Sequence, residues 1–221
     1  MTENSFSRRW RVRVLGCAVA LALLAGPGQA AEPLSGKALV TALRKGGFNI
    51  FFRHAATERS GSDNVAAEGE WTSCDPKRMR QLSEEGRRTA RALGAALRAL
   101  RVPVGRVLAS EFCRAAETAR LMAVGPVETT REIIHMAFGV YLGGREALLR
   151  RGRRQLAVAP VPGTNTVLVG HLDLMRETTG IEPLEGGAGV FAPDGAGDFK
   201  LVAHFTAKEL VALVERYGDG N

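Results

Sequence analysis

The chain has 221 residues, 45% of them hydrophobic, and a formal net charge of +7 at pH 7. That length allows one globular domain of ordinary size with a real core, and excludes a large multidomain assembly. The charge does not argue for a nucleic-acid partner, because residues 1–30 hold four arginines and one glutamate, and without them 26 basic against 22 acidic residues leave only +4.

Residues 1–30 read as an export signal. Arg8, Arg9, Arg11 and Arg13 form a basic region, an apolar stretch covers 14–25, and Gly28-Gln29-Ala30 offers the small residues that a signal peptidase reads. Cleavage after Ala30 is expected, leaving a mature domain over 31–221 that is periplasmic or secreted. No stable membrane anchor is expected, since the apolar run falls short of the roughly 20 residues a spanning helix needs. Ser7-Arg8-Arg9 resembles the start of a twin-arginine signal but Arg11 and Val12 depart from it, so the Sec and Tat routes both stay open. Cys17 precedes most of the apolar segment, which argues against lipidation. The mature chain keeps Cys74 and Cys113, and in an oxidising compartment this pair is expected to form a disulfide that tethers the 60–80 region beside Arg114.

Ser35 is placed to cap a first helix, on which Leu39, Ala42 and Leu43 share a face and which Gly46-Gly47 end. The run Phe48-Asn49-Ile50-Phe51-Phe52 reads as a strand that stops on Arg53-His54. Residues 56–80 are polar and turn-rich, with no period: a loop directly after the strand, of the kind that carries function. Ser83 caps a long helix with Ala90, Leu93, Leu97 and Leu100 on one stripe, and residues 106–110 form a second strand. Residues 114–122 are helical. The segment 128–161 is predicted to be mostly helical and irregular around 139–144. Its arginines Arg145, Arg150, Arg151, Arg153 and Arg154 are read as a solvated helix face, with contact to an anionic lipid or polysaccharide as the alternative.

Thr166-Val167-Leu168-Val169-Gly170 is the plainest strand and stops at His171. A short helix, a strand over 189–192, a turn at Pro193-Asp194-Gly195 and a strand over 199–204 follow. A last helix opens on a Thr206–Glu209 capping box. Strands alternating with helices predict an α/β fold: a three-layer α/β/α sandwich whose sheet is mostly parallel with an antiparallel edge.

Arg53 and His54 at one strand end, Arg114 at a strand-to-helix junction and His171 at a further strand end stand where α/β proteins place their chemistry. Two guanidinium groups and two imidazoles suit an anion. A phosphate dianion held without a metal needs several fixed positive groups. Arg53 and Arg114 supply bidentate forks and His171 a further donor. His54 is then free to act as a nucleophile, and no cofactor is called for. Neighbouring guanidinium charge disfavours its protonation and leaves its lone pair available at neutral pH. His135 and His204 lack metal-ligand spacing and are read as structural. Gly186-Gly187-Ala188-Gly189 and Gly195-Ala196-Gly197 do not stand between a strand and a helix, so they are not nucleotide loops. Trp71 and Phe112 are read as core residues, with pocket lining as the alternative.

Arg53-His54-Ala55-Ala56-Thr57, Ser110-Glu111-Phe112-Cys113-Arg114-Ala115-Ala116-Glu117-Thr118-Ala119 and Val169-Gly170-His171 together resemble the histidine phosphatase superfamily, also called phosphoglycerate mutase-like. The resemblance covers essentially the whole mature chain. It implies that the residue matching His54 is phosphorylated, that those matching Arg53, Arg114 and His171 complete the phosphate pocket, and that the one matching Thr57 adds a hydroxyl. Ala55 stands where glycine is commonest. Ser60 stands where the mutase-like branch often has asparagine, which weakens a carry-over from the sugar-phosphate mutases. For the proton donor the resemblance leaves three acids: Glu132 after the second arginine, Asp173 two residues past His171, and Glu185. Glu185 is favoured, because it opens the strand after His171 and lies at the catalytic end of the sheet if that strand is antiparallel. The expected activity is metal-independent hydrolysis of phosphomonoesters, either small molecules or envelope sugars. A non-catalytic anion-binding module on the same fold is the alternative.

Overall fold

The structure, a computed structural model, describes residues 32–218 together with Met1. The leader read from residues 1–30 and its cleavage point at Ala30 otherwise lie outside the described residues. The elements run α1 (Gly36–Lys45), β1 (Asn49–Arg53), α2 (Glu84–Ala99), β2 (Val104–Ser110), α3 (Cys113–Met122), β3 (Val127–Thr130), α4 (Arg145–Ala157), β4 (Asn165–Gly170), α5 (Leu172–Thr179), β5 (Ala188–Pro193), β6 (Phe199–Phe205) and α6 (Ala207–Tyr217). Short 3₁₀ turns occupy Glu70–Thr72 and Met136–Leu142. No helix of the described residues is long and apolar enough to cross a membrane.

The strands form one sheet in the order β3-β2-β4-β1-β5-β6. The first four are parallel, β5 runs antiparallel to β1 and β6 antiparallel to β5, which gives the mostly parallel sheet with an antiparallel edge that was expected. Central strands buried on both faces read as near-continuous apolar runs. Every residue of β4 is buried, and so is every residue of β1 except the last, the half-buried Arg53. Helices α1, α2, α3 and α6 pack with one another, and α4 packs with α5. The two groups cover the sheet as outer layers.

Local sequence explains most boundaries. The Ser83 hydroxyl accepts from the Gly86 amide at the start of α2, and Thr206 with Glu209 completes a reciprocal capping box on α6. Ser35 precedes α1 as foreseen, but its side chain makes no capping bond. Two glycines let α2 press close. A Cβ at Gly86 would stand 1.9 Å from the Ala56 carbonyl oxygen, and one at Gly94 would stand 1.7 Å from that of Met122. Glycine at these two positions is what allows α2 to lie directly on the loop leaving β1 and on α3.

Two expectations need correction. The segment 128–161 is helical over Met136–Leu142, as a 3₁₀ helix, and over α4, but it opens with an edge strand, β3, that was not expected. β3 reads Val-Glu-Thr-Thr, and an edge position leaves it only half-buried, so no apolar run announces it. Nor is the arginine run of α4 simply solvated. Arg145 pairs with Glu177, Arg151 with Glu132 at 3.2 Å and Arg153 with Asp198 at 2.7 Å, and the Arg153 guanidinium also lies over the Phe199 ring. Arg150 and Arg154 are exposed.

Cys74 and Cys113 are joined in a disulfide, with Cα atoms 5.3 Å apart across a sequence separation of 39. The bond anchors the long segment after β1 to the first residue of α3. Replacing both cysteines with serine is expected to lower the unfolding free energy by about 3–4 kcal/mol on the chain-entropy model. Urea unfolding of the purified variant checks this, and an unchanged midpoint would mean that the loop is held without the bond.

Candidate active site

Parallel pairing of β1 with β4 sets Arg53 opposite Gly170, so the next residue of each strand, His54 and His171, emerges at the same sheet edge. The His54 amide donates to the Gly170 carbonyl at 2.9 Å, and the two imidazole rings lie 5.5 Å apart. β2 lies on the far side of β4 and leads within a few residues to Arg114, in the first turn of α3. Three neighbouring strand ends thus gather Arg53, His54, Arg114 and His171, the four residues singled out in the sequence.

The tautomer of His54 follows from its partners. Its Nδ1 lies 2.9 Å from the Ala55 carbonyl oxygen, which can only accept, so Nδ1 carries the proton. The lone pair is then on Nε2, where it accepts from Arg114 Nε at 3.3 Å. His54 is buried, and burial together with the Arg114 charge holds its pKa well below the ordinary value of about 6.5. His171, also buried, is displaced in the same direction by burial first, then by Arg114 and His54. Its Nε2 is 2.8 Å from Ser110 Oγ at the end of β2.

The guanidinium groups are anchored on one side only. Arg114 Nη1 donates to Asp63 Oδ1 at 3.0 Å, and the group lies 4.6 Å from the Phe112 ring centroid. Arg53 Nη1 donates to the Pro183 carbonyl at 3.3 Å, and its Nη2 is 3.6 Å from Glu185 Oε1. Among the described residues four buried side-chain polar atoms lack a partner, and three of them are Arg53 Nε, Arg114 Nη2 and His171 Nδ1. Buried polar groups are rarely left unmatched, so three in one cluster mark a place built for an acceptor-rich ligand. A cavity of about 180 Å³ opens beside two of the three: its wall includes Arg53, His54, Arg80, His135, His171 and Asp173, while Arg114 is not one of its lining residues and meets it through His54. Among the described residues no group of three or more His, Cys, Asp or Glu is gathered to hold a metal ion.

The remaining expected residues divide. Glu185 lies in the turn before β5, at the same end of the sheet as His54 because β5 is antiparallel to β1. It precedes that strand rather than opening it. Its Oε1 accepts from Thr57 Oγ1 at 3.3 Å, so both residues border Arg53. Glu132 is drawn to Arg151 on α4 and is not part of the cavity wall. Asp173 does line the cavity. Burial pulls its pKa upward, but hydrogen bonds from His135 and from the Leu174 and Met136 amides outweigh this and hold it below the ordinary carboxylate value.

Several residues of the site carry no mark in the sequence. Arg80 reaches the cavity from the end of the aperiodic 56–80 segment. Its charge bears on Arg53, Arg114, His54 and His171, and no carboxylate pairs with it among the described residues. Asp63 Oδ1, which receives Arg114, also accepts from the Arg80 amide at 3.2 Å. His135, read as structural, is corrected to a wall residue: its ring lies 5.3 Å from that of His171. No local spacing marks it, because its partner, Asp173, lies far along the chain. His204 is exposed on β6. Trp71 is buried with its Nε1 donating to Glu111, and Phe112 meets the His171 ring edge-on at 4.8 Å.

The model of a family described as the histidine phosphatase superfamily (branch 1) matches residues 50–171. No curated protein matches the chain. Among solved structures, the chain is similar to an Escherichia coli protein provisionally assigned as an alpha-ribazole-5′-P phosphatase, with 18% identity over 73% of this chain and 98% of that one at a TM-score of 0.52. It is also similar to the product of an open reading frame of Mycobacterium tuberculosis, with 14% identity over 73% and 98% of the two chains and a TM-score of 0.51. At these identities the likeness is one of fold.

The two buried histidines make stability depend on pH. Their folded-state pKa values lie below the unfolded value of about 6.5, so below that pH the unfolded chain binds more protons and stability falls. Each is expected to cost up to about 1.4 kcal/mol per pH unit as the pH drops from about 6.5 towards its folded pKa. Urea unfolding at a series of pH values reads this slope, and a His54→Asn, His171→Asn double variant should flatten it.

Proposed function

The chain belongs to the histidine phosphatase superfamily, and from that membership we propose that it is an exported phosphatase that hydrolyses phosphomonoesters through a phosphohistidine on His54. The observation that carries this reading is the trio of unpartnered buried nitrogens, Arg53 Nε, Arg114 Nη2 and His171 Nδ1, beside an imidazole whose lone pair is on Nε2, where Arg114 Nε–H rests on it. A phosphoryl group supplies the acceptors these donors lack. Its phosphorus then faces a nucleophile kept neutral by burial and by Arg114.

In the first step His54 Nε2 attacks phosphorus and the ester oxygen leaves. Arg114 Nε–H, which rests on that lone pair, turns to the phosphoryl oxygens. With the Ser110 hydroxyl donating to His171 Nε2, the other ring nitrogen carries a proton and donates to the same oxygens. Guanidinium groups preorganised in a partly dry cavity stabilise the charge that builds on those oxygens in the transition state. Water then cleaves the phosphorus–nitrogen bond. Thr57 and Glu185 hold Arg53 in place. Arg80 adds a positive charge that draws the dianion in. The export signal over 1–30 and the Cys74–Cys113 bond support an oxidising compartment outside the cytoplasm, where envelope sugar phosphates or scavenged phosphoesters are the available substrates.

An activated aryl phosphate offered to the purified protein tests the mechanism. His54→Ala is expected to lower turnover by roughly a thousandfold or more, while excess chelator leaves the rate unchanged. Equal turnover by His54→Ala would dispose of the phosphohistidine, and loss of activity with chelator would require a metal.

A further inference from the structure

We propose that His135, oriented by Asp173, is the acid and base of the reaction: its Nε2 protonates the departing ester oxygen and afterwards takes a proton from the attacking water. This rests on the phosphatase reading above. His135 precedes the Met136–Leu142 turn and lines the same cavity as His54 and His171. Its Nδ1 is 2.8 Å from Asp173 Oδ2 and 3.2 Å from the Ala137 amide nitrogen. One nitrogen cannot donate to the carboxylate and accept from the amide at once. The shorter, charged contact decides, since two lone pairs facing each other at that distance would repel, so Nδ1–H donates to Asp173.

Asp173 is itself immobilised. Oδ2 also accepts from the Met136 amide at 2.7 Å, and Oδ1 accepts from the Leu174 amide at 2.8 Å. The ring is further held between Phe112 and Phe138, with centroids 6.1 and 5.9 Å away. A histidine whose Nδ1 is tied to a fixed carboxylate presents Nε2 as its working nitrogen. No hydrogen bond occupies that nitrogen among the described residues. The placement also fits the task. The His135 side chain is 29% exposed, whereas His54 and His171 are 3% and 1% exposed, so His135 stands on the solvent side, where an alcohol leaves and water enters.

The carboxylates expected to serve as proton donor are otherwise engaged. Glu132 faces Arg151, and Glu185 faces Arg53 and Thr57. Asp173 spends its lone pairs on His135 and two amides. The proton count closes with His135 alone. The ring enters the cycle as an imidazolium paired with the Asp173 carboxylate, with Nδ1–H on Asp173 and a second proton on Nε2. As His54 Nε2 bonds to phosphorus and the phosphorus–oxygen ester bond breaks, that Nε2 proton passes to the leaving oxygen and an alcohol departs. As water attacks phosphorus, its proton passes to His135 Nε2, the phosphorus–nitrogen bond breaks, and phosphate leaves with the enzyme back in its starting state.

Leaving-group dependence tests this, because an aryl phosphate expels a stable phenolate while an alkyl phosphate needs a proton donor. For His135→Gln, kcat/KM on glycerol 2-phosphate is expected to fall by about 10²–10⁴-fold, and on p-nitrophenyl phosphate by less than about tenfold. A retained aryl kcat/KM also reports an intact fold, since that ratio does not include the later attack of water. Asp173→Asn should show the same selectivity to a smaller degree. Equal losses on both esters, an unchanged alkyl rate, or selective loss in Glu185→Gln instead would overturn the assignment and leave the phosphatase reading standing. A wild-type protein that cleaves neither ester would overturn that reading and this one with it.

Discussion

A guanidinium group buried beside an imidazole is the constraint around which the site is arranged. The Arg114 side chain is 1% exposed, and a charge removed from water to that degree costs several kcal/mol unless it is compensated. Three groups share the compensation: the Asp63 carboxylate at 3.0 Å, the face of Phe112, and the His54 lone pair at 3.3 Å. Asp63 belongs to a long polar segment with no regular structure of its own around it. The segment must therefore be brought back over the end of the sheet. Asp63 holding both Arg114 and the Arg80 amide, and a disulfide from Cys74 to the residue before Arg114, do this from two ends.

The same charge governs the histidines. Low dielectric and a nearby cation both disfavour imidazolium, so His54 and His171 are neutral at neutral pH, each with one nitrogen that donates and one that accepts. That state suits a nucleophile and a hydrogen-bond donor placed side by side. Acidic groups sit behind the arginines instead of before them: Asp63 backs Arg114, and Glu185 backs Arg53. A carboxylate among the inward-facing nitrogens would repel a phosphate. Among the described residues the one carboxylate on the cavity wall, Asp173, is covered by His135 and two backbone amides.

Much of the fold was legible because its cues are local. The caps of α2 and α6, the apolar stripe of α2 and the β-branched run of β4 each lie within a few residues of the structure they dictate. The misreadings occur where a neighbour in space supplies the reason. β3 exists because β2 offers it an edge, and its Val-Glu-Thr-Thr carries too little apolar character to announce a strand. The arginines of α4 look solvated on a helical wheel, yet Glu132, Glu177, Asp198 and the Phe199 ring lie beside them. Arg80 and Asp63 sit in a stretch without period, where no pattern separates a site residue from an ordinary polar one.

The sequence by itself determined the alternation of strands and helices and the positions of Arg53, His54, Arg114 and His171 at strand ends or just beyond them. Those features follow from periodicity and from residues adjacent along the chain. The tertiary structure alone decided which partners those residues keep: the β2-β4-β1 order that lines up the three strand ends, the Asp63 carboxylate that receives Arg114, the turning of Glu132 towards Arg151, and the coupling of His135 to Asp173. Each of these depends on segments tens of residues apart meeting as the core closes. Local pattern carries no information about such meetings, because their energy comes from burial and charge pairing that exist only once the layers have packed.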